Sequence, residues 1–334
     1  MSFLAVLIAL ALEQWRPLVD RRAVFAPVAA YAGTLERRFD AGEAQQGAIA
    51  WTLAVAPIVA ASWALHAALA AVHPALGLAF NVAVLYVTMG FRQHSHYFTD
   101  IHRALKEGDT DAARRSLSEW RGHSCDTLSA AEITRLTIEG AFTVSHRHVF
   151  GALFWFLLLP GPSGAVLYRM ALFLSHRWGK TQRTGQSGPV LDVILADDRD
   201  RGEESREGDE EGEEHFGEFA RQAFDALDAV PVRVTAASFA IVGDFEDAVY
   251  CWRTQAARWP DPVLGIVLAA GAGALGIRLG APIVRGGVVE DRPELGLGDE
   301  PDTSSLDSTV GLIWRALSLW LLLLLVLTIA VAFG

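Results

Sequence analysis

GLIWRALSLWLLLLLVLTIAVAF, residues 311–333, decides the fold class. It carries one charge near its start, Arg315, and then roughly 18 residues without another, enough to cross about 30 Å of hydrocarbon at about 1.5 Å per residue. The competing reading is the buried helix of a soluble protein, and the run is too long to favour it. The whole chain agrees. Its 334 residues are 51% hydrophobic with a mean hydropathy of +0.27, above what a soluble domain carries.

Working back from that segment, residues 48–72 (AIAWTLAVAPIVAASWALHAALAAV) and 75–91 (ALGLAFNVAVLYVTMGF) read as a helical hairpin turning at His73 and Pro74. The N-terminal SFLAVLIALAL meets Glu13 too soon for a full span and lacks the small-residue cleavage site of a secretory signal, so a retained, tilted or half-inserted helix is expected. Arg16, Arg21, Arg22, Arg37 and Arg38 precede the hairpin. Arg92, Arg103, Lys106, Arg114, Arg115, Arg121, Arg135 and Arg147 follow it, and its turn has no basic residue. Both flanks are therefore expected in the cytoplasm.

The net charge of −11 does not oppose this orientation, because the acid is concentrated in residues 197–219, with twelve carboxylates against three arginines. That stretch has too few apolar residues to offset its ordering entropy and reads as a disordered loop. It lacks the ligand spacing of an EF-hand. Cys125 and Cys251 show no metal-pair spacing and are expected to stay reduced rather than form a disulfide.

Between the hairpin and the next apolar run lie two expected cytoplasmic helices joined by RGHSCDTL, residues 121–128. The first begins near Asp109. The second opens on Ser129 and Glu132 at capping-box spacing, with Ile133, Leu136 and Ile138 near one side. It continues into IEGAFTVSHRHVFGALFWFLLLPGPSG, residues 138–164, where Glu139 lies one turn below a His-Arg-His knot. Six of the ten histidines fall between His94 and His148, but the paired ones are two apart and no zinc spacing occurs, so no metal centre is expected. Pro160, Gly161, Pro162, Ser163 and Gly164 interrupt the apolar run, which implies a broken or re-entrant span or a Pro-Gly turn between two helices near the interface.

The candidate chemistry is carried by carboxylates beside arginines. Glu139 and Asp126 could handle a proton or Mg²⁺, while Arg121, Arg135 or Arg147 holds an anionic, phosphate-bearing substrate. The plainer alternative pairs Glu139 with Arg135, four residues earlier on the same helix. Later, LDAVPVRVTA places Pro231 at an expected helix start and Arg233 in its first turn, where the dipole disfavours a cation, so a ligand or Asp228 is expected as partner.

TMGFR, ALKEGDTDAARRSL, RGHSCDTLSAAEI, IEG, GALFWFLLLPGPSGAVLYRM, LDAVPVRVTA, and AAGAGALGIRLGAPIVRGG followed by RPELG stand in this order along nearly the entire chain. In that order they resemble the CobD/CbiB family of cobalamin-biosynthesis membrane proteins and, more distantly, the AmpE-type inner-membrane proteins linked to β-lactamase induction. The resemblance implies ATP- and Mg²⁺-dependent amide formation between an aminopropanol-type amine, often as its phosphate, and the free propionate of adenosylcobyric acid. It carries over Glu139 and Asp126 as catalytic candidates, and Arg169, Arg233 and Arg278 join Arg121 and Arg135 as substrate- or phosphate-binding candidates. The chain departs from the family at polar positions. LEQWRPLVDRR replaces an Asp-Pro and a His-Pro block, GAFTVSHRH replaces a Glu-Asn with a downstream Asp, and MALFLSHRWG replaces Asn-Thr-Leu-Asp-Ser-Met. An AmpE-like sensor or accessory protein is the alternative.

The expectation is an all-α, polytopic inner-membrane protein with most loops cytoplasmic. Its parts are N-terminal membrane helices (1–91), a cytoplasmic helical segment (92–147), a broken or re-entrant segment (148–177), an acidic loop (178–222), a family-like C-terminal region (223–310) and a final transmembrane helix (311–334). The expected partners are the bilayer and a corrinoid, with no nucleic acid. ATP and Mg²⁺ are the cofactors the enzyme reading implies.

Overall fold

A computed structural model describes residues 2–16, 22–39, 44–179, 210–285 and 288–333. The described chain is all-α. Helices α1 (Ser2–Trp15), α2 (Arg22–Phe39), α3 (Ala44–Val72), α4 (Pro74–Thr88), α5 (Phe91–Lys106), α6 (Thr110–Arg121) and α7 (Ala130–Ser145) lead into a π turn at His146–Phe150. There follow α8 (Gly151–Leu158), α9 (Ser163–Trp178), α10 (Glu210–Val242), α11 (Phe245–Gln255), α12 (Pro262–Leu275) and α13 (Thr303–Phe333). A 3-10 turn at Ala256–Arg258 and two miniature antiparallel ladders complete the regular structure among the described residues. In one, β1 (Arg278–Leu279) pairs with β4 (Leu295–Gly296). In the other, β2 (Ile283–Arg285) pairs with β3 (Val288–Glu290).

Two helices, over Gln45–Val72 and Thr303–Phe333, are long and apolar enough to cross a membrane. The 14 residues of α1 reach only about 21 Å at about 1.5 Å per residue, as Glu13 led one to expect. The hairpin forms as read. The His73 imidazole caps α4 by accepting from the Ala75 N–H at 3.2 Å, and Pro74 takes the first helical position, where its missing N–H is harmless. Of the acidic run, residues 197–209 lie outside the described residues and α10 begins at Glu210.

The chain folds into two compact units, residues 1–90 with 152–228, and residues 91–151 with 229–334. In the first, α3 packs on α2, α4 and α9 around Ala50, Ala54, Val55, Phe173, Leu174 and Trp178. The break between α8 and α9 turns on Gly161 at φ +65, and the Ser163 hydroxyl donates to the Pro160 carbonyl at 2.8 Å. Small residues let the chain close on itself here. A Cβ on Gly161 would meet the His66 ring at 2.5 Å, and one on Gly164 would meet the Trp155 carbonyl at 1.8 Å.

Pro231 does not start a helix, as expected from sequence, but sits inside the 33-residue α10. An interior proline cannot donate to the carbonyl four residues back, that of Leu227. The Trp155 indole N–H donates to that carbonyl instead, at 3.1 Å, so the helix continues with no orphaned acceptor there. Asp228, expected as the partner of Arg233, is fully buried and accepts from the Tyr168 hydroxyl at 2.8 Å. Trp155→Phe is expected to lose about 1–3 kcal/mol by leaving the Leu227 carbonyl unsatisfied. In a Pro231→Ala background the restored amide N–H supplies the missing bond, so the same change should cost less than half as much; equal losses in urea unfolding of the two pairs would refute the substitution of one donor for the other.

The second unit is organised by local caps. Asp109 accepts from the Ala112 N–H to start α6, and Gly122, at φ 71, ends it. Ser129 and Glu132 form the full capping box at the head of α7, so the two helices joined by residues 122–129 appear as the sequence implied. From 136 to 150 every residue is buried, which makes this the central strut of the unit. Phe142 and Phe150 meet Phe239 at ring separations of 5.3 and 5.9 Å, and Phe150 meets Trp320, whose indole donates to the Ser238 hydroxyl at 2.8 Å. Cys125 and Cys251 are both buried and outside any disulfide. Burial, aided by the charge of Asp247, pushes the Cys251 thiol up to about 11. Near neutral pH the native protein should therefore react with a thiol reagent far more slowly than the unfolded chain, which should titrate both cysteines; two fast equivalents in the native state would contradict the burial.

Candidate functional site

Glu139 stands in the middle of α7 and is 4% exposed. Its carboxylate meets the late Gly-rich region. Arg292 Nη1 donates to Oε2 at 2.8 Å, Arg292 Nη2 reaches Oε1 at 3.5 Å, and the Gly280 N–H donates to Oε1 at 2.9 Å. Arg292 is buried as well, donates to the Gly280 carbonyl at 3.3 Å, and lies 5.4 Å from the centre of the Trp259 ring. A buried carboxylate is tolerable only with a charged partner and bonds to its remaining lone pairs, and both conditions are met here.

The backbone has been shaped for this contact. Gly280 and Ala281 both take positive φ, at +75 and +63, and a Cβ on Gly280 would lie 2.0 Å from the Pro293 carbonyl. Only glycine brings its N–H this near the carboxylate without displacing that backbone. Gln255 steadies the same segment from α11 by accepting from the Gly296 N–H and donating to its carbonyl, at 2.6 and 3.2 Å, as a neighbouring strand would. Next to Glu139, Gly140 leaves room for Trp120, whose ring would be 2.8 Å from a Cβ there.

The His-Arg-His knot is a π turn, a form of helix found often at functional sites. All three side chains are buried. The Thr235 hydroxyl lies 2.9 Å from His146 Nδ1 and 3.0 Å from the Pro231 carbonyl, which ties the ring to α10. Arg147 pairs with Asp261 at 3.3 Å, and the other oxygen of Asp261 caps α12. Among the described residues no group of three or more His, Cys, Asp and Glu is placed to hold a metal.

The remaining candidates are scattered. Asp126 is exposed in the α6–α7 connection and accepts from the Ser124 hydroxyl at 2.6 Å. Arg121 is buried at the end of α6. Arg135 is half-buried on α7 and is not the partner of Glu139, contrary to the plainer sequence reading; Arg292 takes that place. The charge of Arg135 acts on Glu132 instead. Burial alone would raise the Glu132 carboxyl, but the Ser129 hydrogen bonds and Arg135 outweigh it and hold it below the ordinary value. Arg233 is exposed and donates to the Ala229 carbonyl of its own helix. Arg278 is exposed on β1, two residues before Gly280. Arg169 belongs to the first unit, where it is buried. Sequence reasoning passed over Arg292, Gly280 and Trp259 as site residues, although the first two stand within RPELG and GIRLG.

The described chain is thus an all-α protein with two helices long and apolar enough to cross a membrane and a buried carboxylate clasped by a late Gly-rich segment. It belongs to the CobD/CbiB family: the model of the CobD/Cbib protein family matches residues 3–188 and 209–313. The chain is 31% identical over 327 residues to the cobalamin biosynthesis protein CobD of Stutzerimonas stutzeri, covering 97% of both chains. It is 36% identical over 276 residues to the CobD of Chromobacterium violaceum, covering 82% of this chain and 77% of that one. To the cobalamin biosynthesis protein CbiB of Salmonella typhimurium it is 25% identical over 290 residues, covering 84% and 80%. No solved structure matches. The protein is thus a cobalamin-biosynthesis protein of the CobD/CbiB type over most of its length.

Proposed function

We propose that the protein catalyses the amide formation implied by its family resemblance, joining an aminopropanol-type amine or its phosphate to the propionate of adenosylcobyric acid at the cytoplasmic face of the bacterial inner membrane. The observation that carries this reading is the family match through both halves of the chain together with the Glu139 clasp, in which the family-like IEG, GIRLG and RPELG segments converge. Asp126 is kept as the catalytic-carboxylate candidate and Arg278 as a substrate-binding candidate, both exposed on the second unit, with Arg121, Arg135 and Arg233 as further anion-binding candidates. Arg169 keeps that role as a candidate of the first unit.

The reaction calls for ATP and Mg²⁺. Glu139 is a poor fit for a magnesium ligand, because the buried Arg292 guanidinium already neutralises its carboxylate at 2.8 Å and the Gly280 N–H holds its other oxygen. In the membrane, residues 148–177 are proposed as a re-entrant hairpin, supported by the break between α8 and α9, and the lipid-facing surface of α13 by its exposed Leu322, Leu323, Val326, Leu327 and Ile329. A non-enzymatic accessory role of the AmpE kind draws support from one observation: His146 and Arg147, in the place of the family's polar residues, are engaged by Thr235 and Asp261 of the fold itself.

Complementation of a strain lacking the amide-forming enzyme, with growth dependent on cobalamin made from cobyric acid, tests the proposal. Growth is the expected result. A well-expressed, membrane-inserted protein that supports none would sink the enzyme reading.

A further inference from the structure

We infer that Glu139 and Arg292 are paired positioning residues, and that Glu139 neither moves a proton nor binds a metal in the reaction proposed above, on which this inference rests. Four observations converge. Both side chains are more than nine-tenths buried, and they meet as an ion pair at 2.8 Å. The second carboxylate oxygen accepts from the Gly280 N–H, so each oxygen already carries a bond to a group of the fold. The guanidinium already supplies the positive charge that a divalent cation beside Glu139 would supply. Arg292 also bonds the Gly280 carbonyl and lies over Trp259, so residue 280 is held at both of its backbone polar groups, its N–H by Glu139 and its carbonyl by Arg292.

What the clasp fixes is the backbone of 278–281. The Gly280 N–H reaches Glu139 only while residues 280 and 281 hold their positive φ values, and that conformation leaves Arg278 pointing outward on β1 two residues away. The pair therefore acts on substrate through Arg278 and its strand. Removing one charge leaves the other buried without compensation, whereas removing both with shape kept restores a neutral, packed contact. A group needed for proton transfer or metal binding would behave differently: neutralising it could not be repaired by neutralising its neighbour.

The test is a double-mutant cycle of Glu139→Gln, Arg292→Met and their combination in the full-length protein. Thermal unfolding in detergent and amide formation in membrane vesicles, titrated with Mg²⁺, are the two readouts. Each single variant should shift the folded-to-unfolded ratio toward unfolded by roughly two to three orders of magnitude and lose activity. The double variant should regain most of both and keep the wild-type Mg²⁺ dependence. A double variant that is stable but inactive, or that needs more Mg²⁺, would overturn the inference by returning Glu139 to the chemistry. Additive losses of stability would overturn it by removing the coupling. If the wild-type protein itself forms no amide, the enzyme reading fails, and coupled or additive stabilities still decide the clasp.

Discussion

The Glu139→Ala variant is expected to lose about 3–5 kcal/mol of stability, the range for removing one partner of a buried ion pair, and with it cobalamin-dependent growth. The large magnitude comes from Arg292. With the carboxylate gone, its guanidinium stays 7% exposed beside Trp259 and Gly280, with no anion to balance it. The Gly280 N–H loses its acceptor at the same time, which adds a second buried polar group without a bond. Arg292→Lys should fall between wild type and Arg292→Ala. It keeps the charge, but an ammonium cannot reproduce the planar fork that reaches both Glu139 and the Gly280 carbonyl. Thermal midpoints in detergent measure the order. A Glu139→Ala midpoint within a degree of wild type would mean that the pair contributes nothing.

The second large effect is expected from Gly164→Val, in the first unit. Its Cβ would be placed 1.8 Å from the Trp155 carbonyl oxygen and 2.4 Å from its carbon, with the Phe156 nitrogen at 3.1 Å. All three are backbone atoms, so no side chain can swing aside, and α8 and α9 would have to part at their turn. Overpacking in a tight core costs about 1–3 kcal/mol and more where backbone must move; the upper end, about 3 kcal/mol, is expected here. The same displacement would disturb the Ser163 to Pro160 hydrogen bond and the contact of Gly161 with His66. Loss of monodisperse protein on detergent extraction, with Gly179→Val as a control at a site whose Cβ would meet nothing nearer than 4.0 Å among the described residues, checks it.

Both effects concern glycines and charges whose importance is invisible locally. The capping box at Ser129, the proline-led start of α4 and the break after Pro160 were all legible, because each depends on residues within about five positions of one another. Pro231 misled for the same reason. Its local signal favours a helix start, and only the Trp155 indole, 72 residues away from Leu227, makes an interior position tolerable. Glu139 was found as a candidate because a carboxylate on an otherwise apolar helix stands out. Its partner was not, because Arg135 at helical spacing offered a nearer cation, and nothing in a linear reading weighs it against Arg292, 153 residues further on.

The sequence by itself determined the class of this protein, its helical hairpin, the length and polarity of its final helix, and the family order of its motifs, since these follow from hydrophobic run length and local backbone preference. Tertiary structure alone decided which cation neutralises Glu139, why Gly280 must be glycine, and how α10 passes through Pro231. Those outcomes rest on desolvation: a buried charge or an orphaned carbonyl has to be matched by whatever donor the fold brings within hydrogen-bond reach, and that donor can come from any distance along the chain.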